Sequence, residues 1–160
     1  MSVDEKLRSL ADGGYPELSI QNQWPPETAG HRMTAKVPLV HPDQTIGEAQ
    51  TLVFHFIKVF RSIDYLYVVD RRGKLYGVLS IKELYSNPKD VHVGNICKRE
   101  NIATVHPDAH QERVIYVALK HNIKSIPVID KDGKLLGVIP NDTIMGILYR
   151  RWSEEAPDGN

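Results

Sequence analysis

Three side chains of metal-ligand type lie within one five-residue stretch of the second half of the chain. His106, Asp108 and His110 are spaced two residues apart, and imidazole and carboxylate groups commonly bind metals. Two histidines four residues apart meet when both lie on one face of a regular helix. Pro107 and the capping position place His106 before the helix starts. The pattern therefore favours ordinary surface residues over a metal centre.

A hydroxyl, an ammonium and a carboxylate group lie close together in the stretch GVLSIKE. Ser80 is at the expected N-cap of a helix, and Lys82 and Glu83 follow in its first turn. The N-terminus of a helix favours anionic and polar ligands, whereas a solvated helix face is the alternative explanation for Lys82 and Glu83. The corresponding later stretch GVIPNDT has Pro140 in place of Ser80 and Thr143 in place of Glu83.

Catalytic and nucleic-acid-binding functions receive no support from the sequence. There is no nucleophile–base pair, no P-loop and no G-x-G-x-x-G motif. Cys97 is the single cysteine, so an internal disulfide is excluded, and we expect a small buried hydrophobic residue there. Lys plus Arg and Asp plus Glu each number 20, and a neutral chain offers no general attraction for nucleic acid. We therefore expect a protein that is neither an enzyme nor a nucleic-acid binder.

The elements that position these residues occur twice in the chain. VVDRRGKLYGVLS at 68–80 recurs as VIDKDGKLLGVIP at 128–140, and HPD at 41–43 recurs at 106–108. Two copies with a period near 60 residues predict one supersecondary unit used twice and related by pseudo-two-fold symmetry.

Each copy is predicted to have the order β-α-β-β-α, which gives an α+β fold, an α/β sandwich with small mixed sheets. The first strands are VPLV at 37–40 and ATV at 103–105. The first helix begins with a capping box of Thr45 and Glu48, and Asp108 with Gln111 is the expected substitute in the second copy. An apolar stripe at helical spacing follows in the first copy, formed by Ile46, Ala49, Leu52, Val53, Phe56, Ile57 and Phe60.

The repeated pattern resembles a tandem pair of CBS domains, also called a Bateman module. The D-x-x-G hairpin, the phrase IPVID and G-V-L-S-x-x-E carry this resemblance over about residues 31–150. YPEL with ETAGHRMT, the long first helix and YLYVVD are similar to the cytosolic CBS region of MgtE-type magnesium transporters. That family's acidic N-terminal domain and transmembrane bundle have no counterpart here, which fits either an excised domain or a stand-alone relative.

The resemblance implies an adenine nucleotide, AMP, ADP or ATP, in a cleft between the two copies. Glu83 occupies the place of the family's ribose-binding aspartate, and Ser80 supports ribose or phosphate. Lys82 contacts phosphate, and Tyr65 stacks on the base unless it is an ordinary core residue. The opposite wall of the cleft would come from the second copy, through Ile123, Ser125, Ile126 and Pro127.

The second cleft and a magnesium site have weaker support. Pro140 offers no donor and Thr143 cannot hold two ribose hydroxyls as a carboxylate can, so we expect at most one nucleotide per chain. The resemblance also implies Mg²⁺ held by carboxylates, but Asp90, Glu100 and Asp108 are scattered. Ordinary solvated charges explain them better, and we assign no magnesium ligands and no resident cofactor.

The resulting hypothesis is a regulatory module that senses an adenine nucleotide, acts through a homodimer and controls a divalent-cation transporter in a longer protein. The alternative is a structural dimerisation module whose pockets are both degenerate.

We predict a lead-in over 1–30, repeats over 31–90 and 91–152, and a flexible tail over 153–160. No apolar run reaches the roughly 20 residues that span a bilayer, which predicts a cytoplasmic protein or the cytosolic face of a membrane protein.

Overall fold

The structure is a computed structural model that describes Leu18, Ile20 and residues 23–155. Most of the predicted lead-in, and residues 156–160 of the predicted tail, lie outside the described residues. The described elements are α1 (Ala29–Arg32), β1 (Leu39–Val40), α2 (Ile46–Phe56), β2 (Tyr65–Val69), β3 (Leu75–Ser80), α3 (Ile81–Ser86), a 3-10 turn (Val93–Asn95), α4 (Gln111–His121), β4 (Ile126–Ile129), β5 (Leu135–Ile139) and α5 (Asn141–Glu155). The helix α5 therefore includes the first three residues of the predicted tail.

The α+β class and the β-α-β-β-α order are confirmed in the first repeat. Its sheet has the order β1-β2-β3, with β1 parallel and β3 antiparallel to β2. In the second repeat, β4 and β5 form a two-stranded antiparallel sheet. The expected strand at 103–105 is reduced to a single parallel bridge between Val105 and Val128.

Pro127 explains why this strand is short. In the first repeat, Tyr67 N donates to Pro38 O at 3.0 Å and so extends the pairing of β1 with β2. Pro127 occupies the position of Tyr67 but has no N–H group to donate. Only the neighbouring bonds of Val105 remain, to Pro127 O at 3.1 Å and from Ile129 N at 3.0 Å.

The start of the first long helix agrees with the sequence, and the start of the second does not. Glu48 N donates to Thr45 Oγ1 at 3.2 Å, and Thr45 N donates to Glu48 Oε1 at 3.5 Å, which confirms the capping box. In α4 the N-cap is His110, whose Nδ1 accepts from Glu112 N at 3.3 Å. The predicted Asp108 cap is wrong, because the helix starts at Gln111 and Asp108 lies two residues before the N-cap.

The apolar stripe of α2 is buried only from Ile46 to Val53, which is about the first two turns of the helix. Ile46, Ala49 and Val53 are buried in the core of the first repeat. The helix ends at Phe56, and Phe56 and Ile57 are 38% and 47% exposed. The last part of the predicted stripe is thus a surface feature.

The two hairpin turns contact each other about the pseudo-two-fold axis. Gly73 and Gly133 have φ values of 80° and 81°, a conformation that favours glycine. Leu75 N donates to Gly133 O and Leu135 N donates to Gly73 O, both at 3.0 Å. This reciprocal pair of bonds shows that the two repeats are related by pseudo-two-fold symmetry.

The segment before the first strand position of each repeat pairs with the other repeat. Thr34 precedes β1 of the first repeat and exchanges two backbone hydrogen bonds with Val138 in β5. Lys98 precedes the bridge residue Val105 of the second repeat and exchanges two backbone hydrogen bonds with Val78 in β3. The exchange ties the repeats together and brings residues 98–103, which we call the linker, against the cleft between the repeats.

Candidate functional site

A small cavity lies between the two repeats at the start of β2. Its volume is about 120 Å³. The residues around it come from β2, β3, the linker, β4 and the segment before β4, and they are Tyr65, Tyr67, Val78, Lys98, Ile102, Ala103, Ile123, Ser125 and Pro127. The cavity is mainly apolar, with a few hydroxyl groups and one ammonium group, which is the composition typical of a small-molecule pocket.

Four of the eight predicted site residues line this inter-repeat cavity. Tyr65 comes from the first repeat, and Ile123, Ser125 and Pro127 come from the second. The structure therefore brings together the predicted base-stacking residue and most of its predicted opposite wall.

Ile126 does not line the cavity. Its side chain is fully buried in the core of the second repeat, together with Val128 and Ile139. Successive side chains of a strand point to opposite faces of the sheet. Because Ser125 and Pro127 face the cavity, Ile126 between them faces the core.

Tyr67 is the unusual residue of the cavity. Its side chain is 1% exposed, and its hydroxyl has no hydrogen-bond partner among the residues that the structure describes. Burial raises the pKa of Tyr67, and the nearby Ser125 hydroxyl acts in the opposite direction. Ser125 itself pairs with Ser62 at 3.2 Å. A buried hydroxyl that lines a cavity without a partner is a group that a ligand can satisfy.

The helix α3 begins beside the cavity, because Ser80 pairs with Tyr65 across β2 and β3. Ser80 and Glu83 form a capping box: Glu83 N donates to Ser80 Oγ at 3.1 Å, and Ser80 N donates to Glu83 Oε1 at 3.1 Å. The Ser80 hydroxyl also bonds Glu83 Oε1 at 2.9 Å. Glu83 therefore has a structural role in the chain. Its other carboxylate oxygen, Oε2, is the one available to accept a hydrogen bond from a ligand.

The predicted phosphate contact, Lys82, is exposed on α3 and does not line the cavity. Lys98 does line it and is also exposed. A flexible ammonium group on either residue can reach a ligand that extends outward from the cavity. Lys98 is thus a second candidate for the phosphate contact.

Sequence reasoning missed five residues of the cavity wall. Tyr67 had a usable signal, because it lies two residues after Tyr65 in the same strand and so shares its face. Val78 pairs with Tyr67 in the hairpin. Lys98, Ile102 and Ala103 belong to the linker, whose return to the first repeat has no local signal in the sequence.

The corresponding cleft at the start of α5 holds an internal ion pair. Arg61 from the first repeat contacts Asp142 of α5 at 2.8 Å, and its guanidinium also donates to Thr143 Oγ1 at 3.4 Å. The hydrogen bond from Arg61 lowers the pKa of Asp142. Thr143 corresponds in position to Glu83, so Arg61 contacts the part of this cleft that is equivalent to the capping box of α3.

The described residues contain neither a metal-ligand cluster nor a helix suited to span a membrane. Among the described residues, no three His, Cys, Asp or Glu side chains are grouped to hold a metal ion. His110 instead contacts Glu27 at 3.2 Å and caps α4. No helix in the described part of the chain has the length and apolar character needed to cross a bilayer.

Comparison with known proteins identifies the family. The model of the CBS domain matches residues 29–89 and 93–150. The chain belongs to the CBS domain family. The predicted pair of CBS repeats is therefore confirmed.

This CBS pair is homologous to the cytosolic region of MgtE. It is 31% identical over 122 residues to the magnesium transporter MgtE of Enterococcus faecalis, covering 76% of the chain and 27% of the relative. It is 27% identical over 152 residues to MgtE of Thermus thermophilus, covering 94% of the chain and 34% of the relative. The chain thus spans about a third or less of these transporters.

Solved structures agree with this relationship. The soluble part of a magnesium transporter is 29% identical with a TM-score of 0.77, over 84% of this chain and 51% of that one. The cytosolic domain of the Mg²⁺ channel MgtE in complex with ATP is 25% identical with a TM-score of 0.75, over 90% of this chain and 55% of that one.

Proposed function

We propose that this CBS pair is a regulatory module that binds one adenine nucleotide, with the base in the inter-repeat cavity. The observation that carries the proposal is the buried, unpartnered Tyr67 hydroxyl in a cavity whose walls come from both repeats. An adenine ring offers both nitrogen acceptors for this hydroxyl and two flat faces for Tyr65 and Pro127. The ATP complex of a similar MgtE domain supports the ligand class.

The rest of the nucleotide would extend toward the start of α3. Ser80 lies across the sheet from Tyr65, so a ribose attached to the base comes close to the capping box. Glu83 Oε1 keeps the cap, and Oε2 accepts from the ribose hydroxyls. Lys82 and Lys98 are the cations available for phosphate.

Calorimetric titration with AMP, ADP and ATP, with and without Mg²⁺, tests this proposal. Glu83→Gln keeps a capping-box side chain but loses the carboxylate, so we expect about a tenfold or greater loss of affinity with an unchanged fold.

Tyr67→Phe removes a hydroxyl that is unpaired in the free chain. We expect unchanged or increased stability but weaker binding, a combination that a purely structural role does not produce.

The control for the nucleotide titration is Asp142→Asn, which alters the other cleft. We expect it to leave nucleotide affinity unchanged. Equal losses for Asp142→Asn and Glu83→Gln would place the nucleotide elsewhere and contradict the proposal.

A structural dimerisation module with degenerate pockets is the second candidate function. Two observations favour it. Ser80 and Glu83 already use their side chains to cap α3 through hydrogen bonds with each other. The cavity of about 120 Å³ is also smaller than the roughly 300–1,000 Å³ of most ligand pockets. The absence of heat and of thermal stabilisation with every nucleotide would favour this candidate over the sensor.

We also propose that the module acts as a homodimer and, within a longer protein, controls a divalent-cation transporter. The MgtE relatives support the second part. Large apolar side chains on the helices support the first, since Leu119, Tyr149 and Trp152 are 66%, 68% and 68% exposed. Exposed apolar patches of this kind are typical of interfaces.

Sedimentation equilibrium tests the homodimer. We expect a mass of twice the 18.1 kDa of the chain and dissociation by Leu119→Lys. His121→Lys, an exposed change on the same helix, serves as the control and should leave the dimer intact. A monomeric mass at micromolar concentration would contradict the homodimer.

A further inference from the structure

A second and larger pocket, open to solvent, lies on the hairpin-turn side of the first repeat. Its volume is about 610 Å³, and its wall includes Arg71, Arg72 and Lys74 of the turn together with Tyr76 and Arg99. We call it the basic pocket. The inter-repeat cavity lies toward the start of β2, at Tyr65 and Tyr67. The two share no lining residue, although the adjacent residues Lys98 and Arg99 line the inter-repeat cavity and the basic pocket, respectively.

The charge of the basic pocket is strongly biased. Four cations line it against two carboxylates, Asp43 and Asp70, although the whole chain is neutral. Asp70 Oδ1 already accepts hydrogen bonds from Arg72 N at 2.9 Å and from Lys74 N at 3.0 Å, so this carboxylate stabilises the turn. Lys134 of the second repeat forms a backbone bridge with Lys74 across the pseudo-two-fold axis.

Arg99 is held in place at the wall of the basic pocket. Its guanidinium carbon lies 3.7 Å from the centre of the Tyr76 ring, a stacked cation–π arrangement. A guanidinium fixed on an aromatic face loses little further freedom when its N–H groups bind a ligand. Planar guanidinium groups are suited to bidentate binding of phosphate.

The second repeat lacks this arrangement although it has the same fold. Asp132 takes the place of Arg72, and Leu136 takes the place of Tyr76. The D-x-x-G turn itself is kept, with Asp130 accepting from Asp132 N and Lys134 N at 2.9 Å. The additional cations and the stacking ring are therefore not needed to build the hairpin.

We propose that the basic pocket binds an anion with at least two phosphate groups, at a site separate from the nucleotide cavity. The four cations are spread over a volume within the roughly 300–1,000 Å³ range of ligand pockets, larger than a single phosphate requires. Charge-assisted hydrogen bonds from the arginines provide the affinity. A free pyrophosphate-type anion and the phosphates of a nucleotide both supply two linked phosphate groups for these arginines.

Calorimetric titration of the full chain with inorganic pyrophosphate at low ionic strength tests the proposal, with sulfate as the single-anion comparison. We expect one pyrophosphate per chain and much weaker binding of sulfate. Arg99→Lys keeps the charge but loses the planar fork, and we expect it to weaken pyrophosphate binding about tenfold. Arg71→Ala should weaken it by a similar factor. Lys131→Ala, the matched change at the equivalent turn position of the second repeat, should leave it unchanged.

The same titration has clear outcomes against the proposal. No pyrophosphate binding to the wild type would overturn it. Equal losses for Lys131→Ala and Arg71→Ala would also overturn it, because they would show only a general attraction of basic surface. A loss caused by Glu83→Gln would overturn it by placing the anion at the nucleotide site. Competition by ADP but not by AMP would identify a nucleotide's phosphates as the source, and no competition would identify the free anion.

Discussion

Ile126→Ala is expected to lower the free energy of unfolding by about 2–5 kcal/mol. Ile126 is fully buried and packs in the core of the second repeat with Val114 and Ile139. Truncating its side chain removes buried apolar area and leaves a cavity that the packed neighbours fill only in part. Chemical denaturation monitored by circular dichroism measures the change.

The milder change Ile126→Val separates the core role of this residue from a role in the nucleotide site. It is expected to cost about 0.5–1.5 kcal/mol and to leave nucleotide affinity unchanged. An Ile126→Ala protein of wild-type stability that had lost nucleotide binding would contradict the assignment of Ile126 to the core.

Gly77→Ala is expected to destabilise the protein by about 1–3 kcal/mol and to weaken nucleotide binding. An added Cβ would lie 2.6 Å from Cys97 Sγ and 2.8 Å from Lys98 O. The Lys98 carbonyl cannot move freely, because Lys98 and Val78 exchange two hydrogen bonds of 2.9 Å. Displacing this linker also displaces Lys98 from the wall of the inter-repeat cavity, where we propose that the nucleotide binds. Thermal unfolding and calorimetry measure the two effects.

Two other glycines provide matched controls for Gly77→Ala. At Gly137, the equivalent position, an added Cβ would meet the Met33 side chain at 2.8 Å, and a flexible thioether can move aside. The cost of Gly137→Ala should therefore be smaller. Gly146 lies in α5 with no atom within 4 Å of an added Cβ, and Gly146→Ala should stabilise the helix by about 0.5–1 kcal/mol. Equal destabilisation by Gly77→Ala and Gly137→Ala would contradict the role assigned to the linker.

Features set by neighbouring residues were predictable from the sequence. The turns at Asp70 and Asp130 and the capping box of Thr45 and Glu48 depend on residues four or fewer positions apart. The repeat itself predicted the pseudo-two-fold relationship. The cap of α4 was missed because the acceptor is an imidazole, His110, which is outside the usual set of capping side chains.

The wall of the inter-repeat cavity was only partly predictable, for two different reasons. Ile126 was misplaced because Ile123–Pro127 was treated as one surface, although the alternation of a strand assigns Ile126 to the opposite face. Lys98 and Ala103 could not be found at all, because they reach the cavity through the exchange of linkers between the repeats. The pairing of Lys98 with Val78 is tertiary and leaves no periodic signal.

The measurement that tests the central claim most directly is an intermolecular nuclear Overhauser experiment on the chain with bound adenine nucleotide. The claim is that the base lies in the inter-repeat cavity. We predict contacts from the adenine ring protons to the rings of Tyr65 and Tyr67 and to Pro127. Contacts to Thr143 and the start of α5 instead, or bound nucleotide without contacts to either tyrosine, would contradict the account.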